Sequence, residues 1–283
     1  MVEEAIKKAD VLIEALPYIK KFHKKIFVIK YGGSILGEER IRKSVLEDIA
    51  FLRYTGIRPI LVHGGGPNIT ERLKKLNIST EFVDGMRVTN EDTLKIVEEE
   101  LNKLNDLIVE EISSHGVSAR GFKKEDGILK VEKKRADIDL GFVGEIFDFD
   151  KKRIEEILKD TIPVISPMGI SKELVTFNVN ADEVADFIAS GLKAEKLVLL
   201  TNVLGVMRDF QNEDSLISTI TAIEAEELIK EKVIDEGMIP KVNAAIKAIY
   251  GGVGKAHIVD AKLLHAILLE IFTDEGIGTE IVK

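Results

Sequence analysis

Apolar residues along this chain follow two spacings, one helical and one typical of buried strands. Over residues 3–22 they recur every three or four positions, which predicts an amphipathic helix before the first strand. Further on, short unbroken apolar runs predict buried strands, at 26–31, 59–63, 162–166, 196–201, 256–259 and 279–282. Longer segments of helical spacing predict helices, at 38–54, 67–76, 91–114, 151–158, 181–192, 222–231, 238–250 and 262–272.

Strands that alternate with helices favour one α/β architecture, in which a mostly parallel sheet lies between two layers of helices. We therefore predict a three-layer αβα sandwich with a mostly parallel central sheet. β-Hairpins are expected around Gly85 and over residues 117–148. The sequence has no linker, repeat or low-complexity tract, so its two halves, which meet near residue 175, should be lobes of one sheet. A ligand cleft is expected at the carboxyl ends of the strands.

The amino-acid composition limits the kinds of molecule that this protein is expected to bind. Of 283 residues 45% are apolar, and 40 basic residues against 49 acidic residues give a formal net charge of −9, which argues against binding to nucleic acid or to an anionic membrane. Cysteine is absent and the histidines lack ligand spacing, so we expect no disulfide and no metal held by the protein itself. No apolar run approaches the roughly 20 residues of a membrane span. Because a signal peptide is also lacking, we expect a soluble, cytoplasmic protein.

Two glycine-rich turns follow neighbouring predicted strands. Lys30 ends the first apolar run and leads into Gly32–Gly33, and His63 ends the next run and leads into Gly64–Gly66. Such glycines free backbone N–H groups and let a ligand approach the backbone closely. The helix that begins near Pro67 points its positive end at the same place. Since neither a Walker-type loop nor a dinucleotide-binding fingerprint occurs, these turns predict another kind of phosphate site.

Three charged residues are candidates for phosphoryl transfer. Lys30 ends an apolar run, Lys241 lies at the start of a predicted helix, and Asp182 lies between them in the sequence, after Asn178 and Asn180. Cations directed at one point from two lobes stabilise a transferring phosphoryl group. The alternatives are a lysine that reaches the surface and helix capping by Asn180, although capping leaves the rest of the cluster unexplained.

In their order along the chain, these segments resemble the amino acid kinase family, and within it the enzymes that phosphorylate N-acetyl-L-glutamate. The resemblance covers nearly the whole chain and is carried by residues 29–33, 62–67, 84–89, 140–144, 178–182, 200–206 and 237–242. It implies ATP-dependent phosphorylation of the γ-carboxylate of N-acetyl-L-glutamate, the second step of arginine biosynthesis. A carboxylate nucleophile is already ionised at neutral pH and requires no general base, which agrees with the lack of a candidate catalytic histidine.

The resemblance also implies roles for individual residues. Lys30 and Lys241 would neutralise the transferring group, and Asp182 would orient both lysines. Backbone N–H groups would come from the two glycine turns, at Gly33 and Gly65. The residues expected at the acetylated amino acid, with Arg87 on its α-carboxylate, are Gly65, Gly66, Arg87, Asn178 and Asn180. The residues expected at ATP, whose phosphates would carry Mg²⁺, are Lys30, Gly33, Thr201, Asn202, Gly205, Ile234 within segment 233–239, and Lys241.

Both ends of the chain resemble the arginine-inhibited, hexameric branch of these kinases. That likeness implies an oligomerisation helix over 1–22, an amino-acid-substrate lobe over 23–174 and a nucleotide-binding lobe with a regulatory tail over 175–283. The helix would join dimers into a ring, with a nitrogen-signalling protein as a further candidate partner. The residues expected at a regulatory arginine site, with Glu270 on the guanidinium, are Tyr18, Lys196, His265, Glu270, Gly276 and Gly278. The alternative is that both ends are simply packing helices.

Other functions stay open at this point. A kinase for carrier-linked aminoadipate would share the same lysines and glycines, and uridylate, carbamate and aspartate kinases fit the segments around Arg87 and Asn178 less well. A non-catalytic arginine sensor is an alternative from another class, although it would not need to keep Lys30, Asp182 and Lys241 together. Asn202 and Lys262 depart from the residues that are usual in the family.

Overall fold

The structure alternates strands and helices, as the apolar pattern predicts. The computed structural model describes residues 6, 10, 13–33, 37–83, 85–209, 211–234, 237–273 and 276–283. The strands in chain order are β1 Ile26–Tyr31, β2 Arg58–His63, β3 Phe82–Val83, β4 Met86–Arg87, β5 Ala119–Phe122, β6 Leu129–Lys133, β7 Val143–Phe149, β8 Ile162–Ile165, β9 Met168–Ile170, β10 Thr176–Val179, β11 Lys196–Thr201, β12 Thr219–Thr221, β13 Lys255–Asp260 and β14 Thr279–Val282. The helices are α1 Leu16–Phe22, α2 Glu39–Tyr54, α3 Gly66–Lys75, α4 Glu91–Ser114, α5 Lys151–Ile157, α6 Ala181–Leu192, α7 Ala222–Lys230, α8 Ile239–Tyr250 and α9 Ala266–Phe272.

The central sheet has eight strands in the order β12-β14-β13-β11-β1-β2-β8-β5. From β13 to β5 all neighbours are parallel, whereas β14 runs antiparallel to β13. At the centre, Ile29 of β1 lies in register with Val198 of β11 and with Leu61 of β2. This arrangement confirms the predicted α/β fold with a mostly parallel sheet.

Alternate residues of β1 belong to two separate cores. Val28 packs in a core with residues of α6 and α8 on one face of the sheet. Phe27 and Ile29 pack in a second core with residues of α2, α4 and α9 on the other face. Successive strand residues point to opposite faces, so an unbroken apolar run is what a strand covered on both sides requires. The three-layer order of helix, sheet and helix follows from this pattern.

A smaller closed barrel, β10-β7-β6-β9, lies beside the sheet. Its β6 and β7 form an antiparallel hairpin within the region predicted to contain hairpins. β10 follows residue 175 but pairs with β7 and β9, which precede it. One of these pairs places Asn178 opposite Val143. The chain therefore passes from the barrel into α6 at the point where the candidate Asn178 and Asp182 lie.

The last helix begins later than its apolar spacing predicts. The prediction was 262–272, but α9 begins at Ala266. His265 has a φ of 57°, a left-handed conformation that interrupts a helix. Before it, the backbone N–H of Lys262 donates to Asp260 Oδ1 over 2.9 Å and closes a turn. The predicted helix start at 262 is therefore wrong.

Parts of three predictions lie outside the described residues. They are residues 1–5, 7–9 and 11–12 of the N-terminal helix, Asp84 of the hairpin turn and residues 235–236 of the nucleotide segment. Within the described ranges, α1 ends the N-terminal helix at Phe22 as predicted. Among those same residues, no helix is both long enough and apolar enough to cross a membrane.

Candidate active site

The two glycine turns contact each other through their backbones. β1 and β2 are parallel neighbours, so both turns lie at the same edge of the sheet. A Cβ atom added to Gly33 would lie 2.8 Å from the Gly66 nitrogen and 2.9 Å from the Gly65 nitrogen. Since real Cβ atoms do not come this close to backbone, the contact requires glycine at position 33. The N–H groups of Gly65 and Gly66 are thereby placed beside Gly33.

A cavity of about 270 Å³ opens at these turns. It collects most of the residues predicted for substrate and nucleotide, from four strands, three helices and the turns beside them. The predicted residues that line it are Lys30, Gly33, Gly65, Gly66, Arg87, Asn178, Asn180, Asp182, Thr201, Asn202 and Lys241. Gly205 and Ile234 do not line it: Gly205 packs against Thr279, and Ile234 is a core residue.

Two lysines share one buried carboxylate in this cavity. Lys30 Nζ lies 2.9 Å from Asp182 Oδ1, and the two side chains are only 9% and 10% exposed. Burial alone would raise the pKa of Asp182, but the charges of Lys30 and Lys241 hold it below its usual value. Burial lowers the pKa of Lys241, an effect that Asp182 opposes and Lys30 reinforces. The carboxylate therefore reduces the repulsion between the two neighbouring ammonium groups, and the three groups together keep a net positive charge.

The asparagines before α6 have different structural roles. Asn180 caps the helix, because its Oδ1 accepts from the Asp182 backbone N–H over 2.8 Å. The capping interpretation of Asn180 is thus confirmed, although the residue also lines the cavity. The Asn178 side chain reaches the Thr89 hydroxyl at 3.5 Å, and its backbone N–H donates to Phe142. Its amide is therefore only weakly held and is available to a ligand.

Arg87 is a buried cation fixed by neutral groups. Its guanidinium donates to the Thr80 hydroxyl, to the Thr70 hydroxyl over 2.6 Å and to the Gly66 carbonyl over 3.0 Å. It also lies 4.5 Å from the centre of the Phe82 ring. Burial lowers the pKa of Arg87, and no carboxylate of the described residues pairs with it. A fixed cation that lacks a protein counter-anion suits a ligand carboxylate.

Thr70 and Thr80 are site residues that the sequence reasoning missed. Each lies near the cavity only because α3 and the segment before β3 fold back on Arg87. The hydroxyl of Thr70 additionally donates to the Gly66 carbonyl over 2.9 Å. Neither a threonine on a polar helix face nor one in a loop gives a signal in the sequence, so this pair could be found only from the folded chain.

A second cavity, of about 210 Å³, lies between α1, β13 and the C-terminal segment. Five of the six residues predicted for arginine line it, namely Tyr18, Lys196, Glu270, Gly276 and Gly278. His265 does not, since its ring nitrogen Nδ1 lies 2.7 Å from Asp48 of α2 and its backbone N–H donates to Ser44. The structure therefore does not bring His265 together with the other five.

His257, one of the histidines that lack ligand spacing, lines the second cavity instead. Its Nε2 lies 2.7 Å from Lys196 Nζ, and its Nδ1 lies 2.6 Å from Glu270 Oε1. Burial lowers the pKa of His257 and lowers that of Lys196 to about 8. The other carboxylate oxygen of Glu270 accepts from the backbone N–H groups of Ile277 and Gly278. Glu270 is therefore fixed in place by these bonds, and its Oε1, which has His257 as its one partner in these bonds, can accept a further donor.

Comparison with known proteins identifies the family of this chain. The amino acid kinase family model matches residues 25–260. Acetylglutamate kinase from Caldanaerobacter subterraneus is 48% identical, over 99% of this chain and 95% of that protein. Acetylglutamate kinase from Aquifex aeolicus is 46% identical, over 98% of both chains.

Solved structures share the fold. N-acetylglutamate synthase from Neisseria gonorrhoeae, complexed with coenzyme A and N-acetyl-glutamate, superposes with a TM-score of 0.88 at 26% identity. The match covers 97% of this chain and 63% of the synthase, so this chain spans less than two thirds of that protein. The same synthase complexed with coenzyme A and L-arginine gives a TM-score of 0.84 at 25% identity, over 97% of this chain and 65% of the synthase. The family model covers most of the chain and the kinases match it over nearly full length, so the chain is an enzyme of the amino acid kinase family.

Proposed function

We propose that this enzyme transfers the γ-phosphoryl group of ATP to the γ-carboxylate of N-acetyl-L-glutamate. The observation that carries the proposal is the charge distribution of the first cavity. Lys30, Lys241 and Arg87 line it, and Asp182 is the one carboxylate among its described lining residues. A site that must bring a carboxylate to a polyanion needs this excess of cations, whereas it needs no general base because the nucleophile is already ionised.

Each group has a distinct part in the proposed reaction. Lys30 and Lys241 neutralise charge on the transferring phosphoryl group, and Asp182 holds the two ammonium groups in place. Gly33 and Gly65 donate backbone N–H groups to the same oxygens. Magnesium would be carried by the phosphates of ATP and would offset part of their charge, and Thr201 and Asn202 would hold the nucleotide. Gly205 and Ile234 stay predictions as nucleotide contacts, because neither lines the cavity.

The amino-acid substrate is assigned to other residues that line the same cavity. Arg87 takes the α-carboxylate, and Asn178, Asn180 and Gly66 surround the acetylated end. Two comparisons support this assignment: the kinases that match nearly the full chain are named for acetylglutamate, and a synthase of the same fold holds N-acetyl-glutamate. The division into a substrate lobe over 23–174 and a nucleotide lobe over 175–283 stays a prediction, since the proposed substrate residues Asn178 and Asn180 lie beyond residue 174.

ATP turnover by the purified full chain tests the proposal. With magnesium, we expect ADP formation with N-acetyl-L-glutamate and none above background with glutamate, aspartate or free aminoadipate. The acyl phosphate should be trapped by hydroxylamine in equal amount to ADP. Turnover with glutamate at a comparable rate, or no turnover with any of the four acids, would contradict the assignment.

Arg87→Lys should weaken substrate binding far more than catalysis. Lysine keeps the charge but loses the fork of N–H groups that Thr70, Thr80 and Gly66 hold in place. We expect KM for N-acetyl-L-glutamate to rise about 30-fold, equivalent to the roughly 2 kcal/mol of a charged hydrogen bond, with KM for ATP unchanged. Initial rates at fixed saturating ATP measure this, and an equal rise in both KM values would argue against a role at the amino acid.

We further propose that L-arginine inhibits the enzyme by binding the second cavity. Lys196, Lys255, Glu270 and Glu280 line this cavity beside Tyr18, so both signs of charge are present. A free amino acid with a cationic side chain matches such a set, and the synthase of the same fold has a complex with L-arginine. His257 joins the proposed site through its bonds to Lys196 and Glu270.

A hexamer joined through the N-terminal helix is the remaining part of this proposal. Tyr18 packs edge-on against Phe272 of α9, with ring centres 6.5 Å apart, which ties α1 to the regulatory tail. Ile13, three residues before α1, and Leu16, the first residue of α1, are 67% and 56% exposed. These apolar side chains suit pairing with the same helix of a second subunit. Sedimentation of the full chain should then give a hexamer, and Leu16→Ser should yield smaller species.

Glu270→Gln should desensitise the enzyme to arginine. The substitution removes the negative charge that a guanidinium requires, while Gln can still accept one of the bonds now made to Glu270. We expect the arginine concentration for half-inhibition to rise at least about tenfold, a loss of roughly 1.4 kcal/mol, without change in uninhibited turnover. The exposed Glu71→Gln is the matched control and should keep the original arginine response. Equal inhibition of Glu270→Gln and the unaltered protein would refute this site.

A further inference from the structure

A buried histidine lies directly beneath the second glycine turn without lining the cavity. His63 ends β2, and its side chain is 0% exposed. Its ring nitrogen Nδ1 lies 3.1 Å from the carbonyl oxygen of Gly64. Its Nε2 lies 3.1 Å from the side-chain nitrogen of Asn105, on α4. Both ring nitrogens are therefore engaged, and neither contacts the ligand cavity.

The hydrogen bonds fix where the ring proton lies. The Asn105 side-chain nitrogen also donates to the Val164 carbonyl over 3.0 Å. Because a carbonyl oxygen only accepts, this second bond sets the orientation of the amide, so its nitrogen donates to His63 Nε2 as well. The proton of the neutral ring is then on Nδ1, which donates to the Gly64 carbonyl. Burial lowers the pKa of His63 to about 4, so the ring stays neutral at physiological pH.

The Gly64 carbonyl belongs to the same peptide group as the Gly65 N–H. This peptide group is planar, so a bond that holds the carbonyl also sets the direction of the N–H on the other side. The preceding N–H, of Gly64, donates to the Tyr31 carbonyl over 2.9 Å. The turn is thus held at two successive peptide groups, one from β1 and one from His63.

Asn105 destabilises the fold at its buried position. It lies on the buried face of α4, among Leu101, Leu104 and Ile108. Its side-chain oxygen Oδ1 is buried and finds no hydrogen-bond partner among the described residues. An unpaired buried oxygen destabilises a fold, and an aliphatic side chain would serve packing better. The amide is better explained by what its nitrogen does to His63.

We propose that Asn105 and His63 are positioning residues that direct the Gly65 N–H at the transferring phosphoryl group. Asn105 selects the tautomer of His63, and His63 holds the peptide group of Gly64 and Gly65. This inference rests on the proposed function, which places the Gly65 N–H on that phosphoryl group. Neither side chain touches the reactants.

Kinetics of Asn105→Leu test the first link. Leucine keeps the volume of the side chain but cannot donate to Nε2, so the Gly64 carbonyl alone favours the Nδ1–H tautomer and the preference of the ring is weakened. We expect kcat to fall about tenfold, less than the ~100-fold loss of an entire donor, with both KM values within about twofold. Ile112→Ala is the control, since this fully buried residue lies two turns further along α4. It should lower the melting temperature and leave kcat unchanged.

Substitutions of His63 test the second link. The side-chain nitrogen of Asn can overlay Nδ1 and donate to the Gly64 carbonyl, whereas Leu cannot. We expect His63→Asn to retain several-fold more kcat than His63→Leu. Because Asn105 acts through His63, adding Asn105→Leu to His63→Leu should cost no further kcat. An additive loss, or equal activity of the Asn and Leu variants at position 63, would overturn the inference.

Nitrogen NMR of the histidine rings provides a readout that does not depend on activity. In the unaltered protein, His63 should show the Nδ1–H tautomer, and Asn105→Leu should give a mixture of tautomers. An Nε2–H tautomer in the unaltered protein would overturn the inference even if N-acetyl-L-glutamate is phosphorylated. The Nδ1–H tautomer in a protein without that turnover would instead refute the proposed function and the catalytic assignment of Gly65.

Discussion

Lys30→Ala should slow turnover at least about 100-fold and leave the fold intact. Lys30, the penultimate residue of β1, lines the cavity, and its ammonium group is 2.9 Å from Asp182. Charge develops on the phosphoryl oxygens in the transition state, and a buried cation stabilises it more than an exposed one because water does not screen it. Removing such a group typically costs roughly 3–4 kcal/mol of transition-state stabilisation.

The fold should tolerate this substitution because the remaining carboxylate keeps a partner. Asp182 retains the charge of Lys241, so it is not left as an isolated buried charge. We expect unchanged circular dichroism and a kcat reduced at saturating concentrations of both substrates. Lys25→Ala is the matched control, because Lys25 precedes the other end of β1 and makes an exposed pair with Glu195. Turnover of Lys30→Ala within tenfold of the control would refute the catalytic role.

The central sheet was predictable from the sequence because each of its inner strands is covered on both faces. β1 and β11 read as continuous apolar runs, and glycines mark the ends of β1 and β2. The sequence of each run is therefore enough to predict that the strand is buried. The glycine turns and Asp182 could also be found from local sequence, and the structure brings them to one cavity.

The errors arise where the determining contacts are distant in sequence. Nothing local signals that His265 adopts a left-handed conformation and binds Asp48, which is 217 residues away. His257 gave no signal because its partner Lys196 lies 61 residues earlier, on the neighbouring strand. Asn105, by contrast, is visible in the sequence as a polar residue that interrupts the apolar face of α4. A polar residue within an otherwise buried helix face indicates a specific partner, and here that partner is His63.

Asp182→Asn should reduce kcat/KM by at least about 100-fold near pH 8 and make the loss depend on pH. Asp182 is the group that raises the pKa of Lys241, against the lowering effects of burial and of Lys30. Without this negative charge the pKa of Lys241 falls further, and the two buried ammonium groups repel each other. Lys241 must be protonated to neutralise the phosphoryl group, so activity is lost as pH rises through its lowered pKa.

The pH profile of kcat/KM from pH 6 to pH 10 separates this effect from simple misfolding, since it reports groups of the free enzyme. For Asp182→Asn, the alkaline decline should move to lower pH, and part of the activity should return on acidification. Asp186→Asn is the matched control: it is the same substitution one turn along α6, where the carboxylate accepts from Ser190 and does not line the active cavity. Its alkaline decline should match that of the unaltered enzyme. A uniform loss at every pH in Asp182→Asn would show that the carboxylate supports the fold rather than the charge of the lysines.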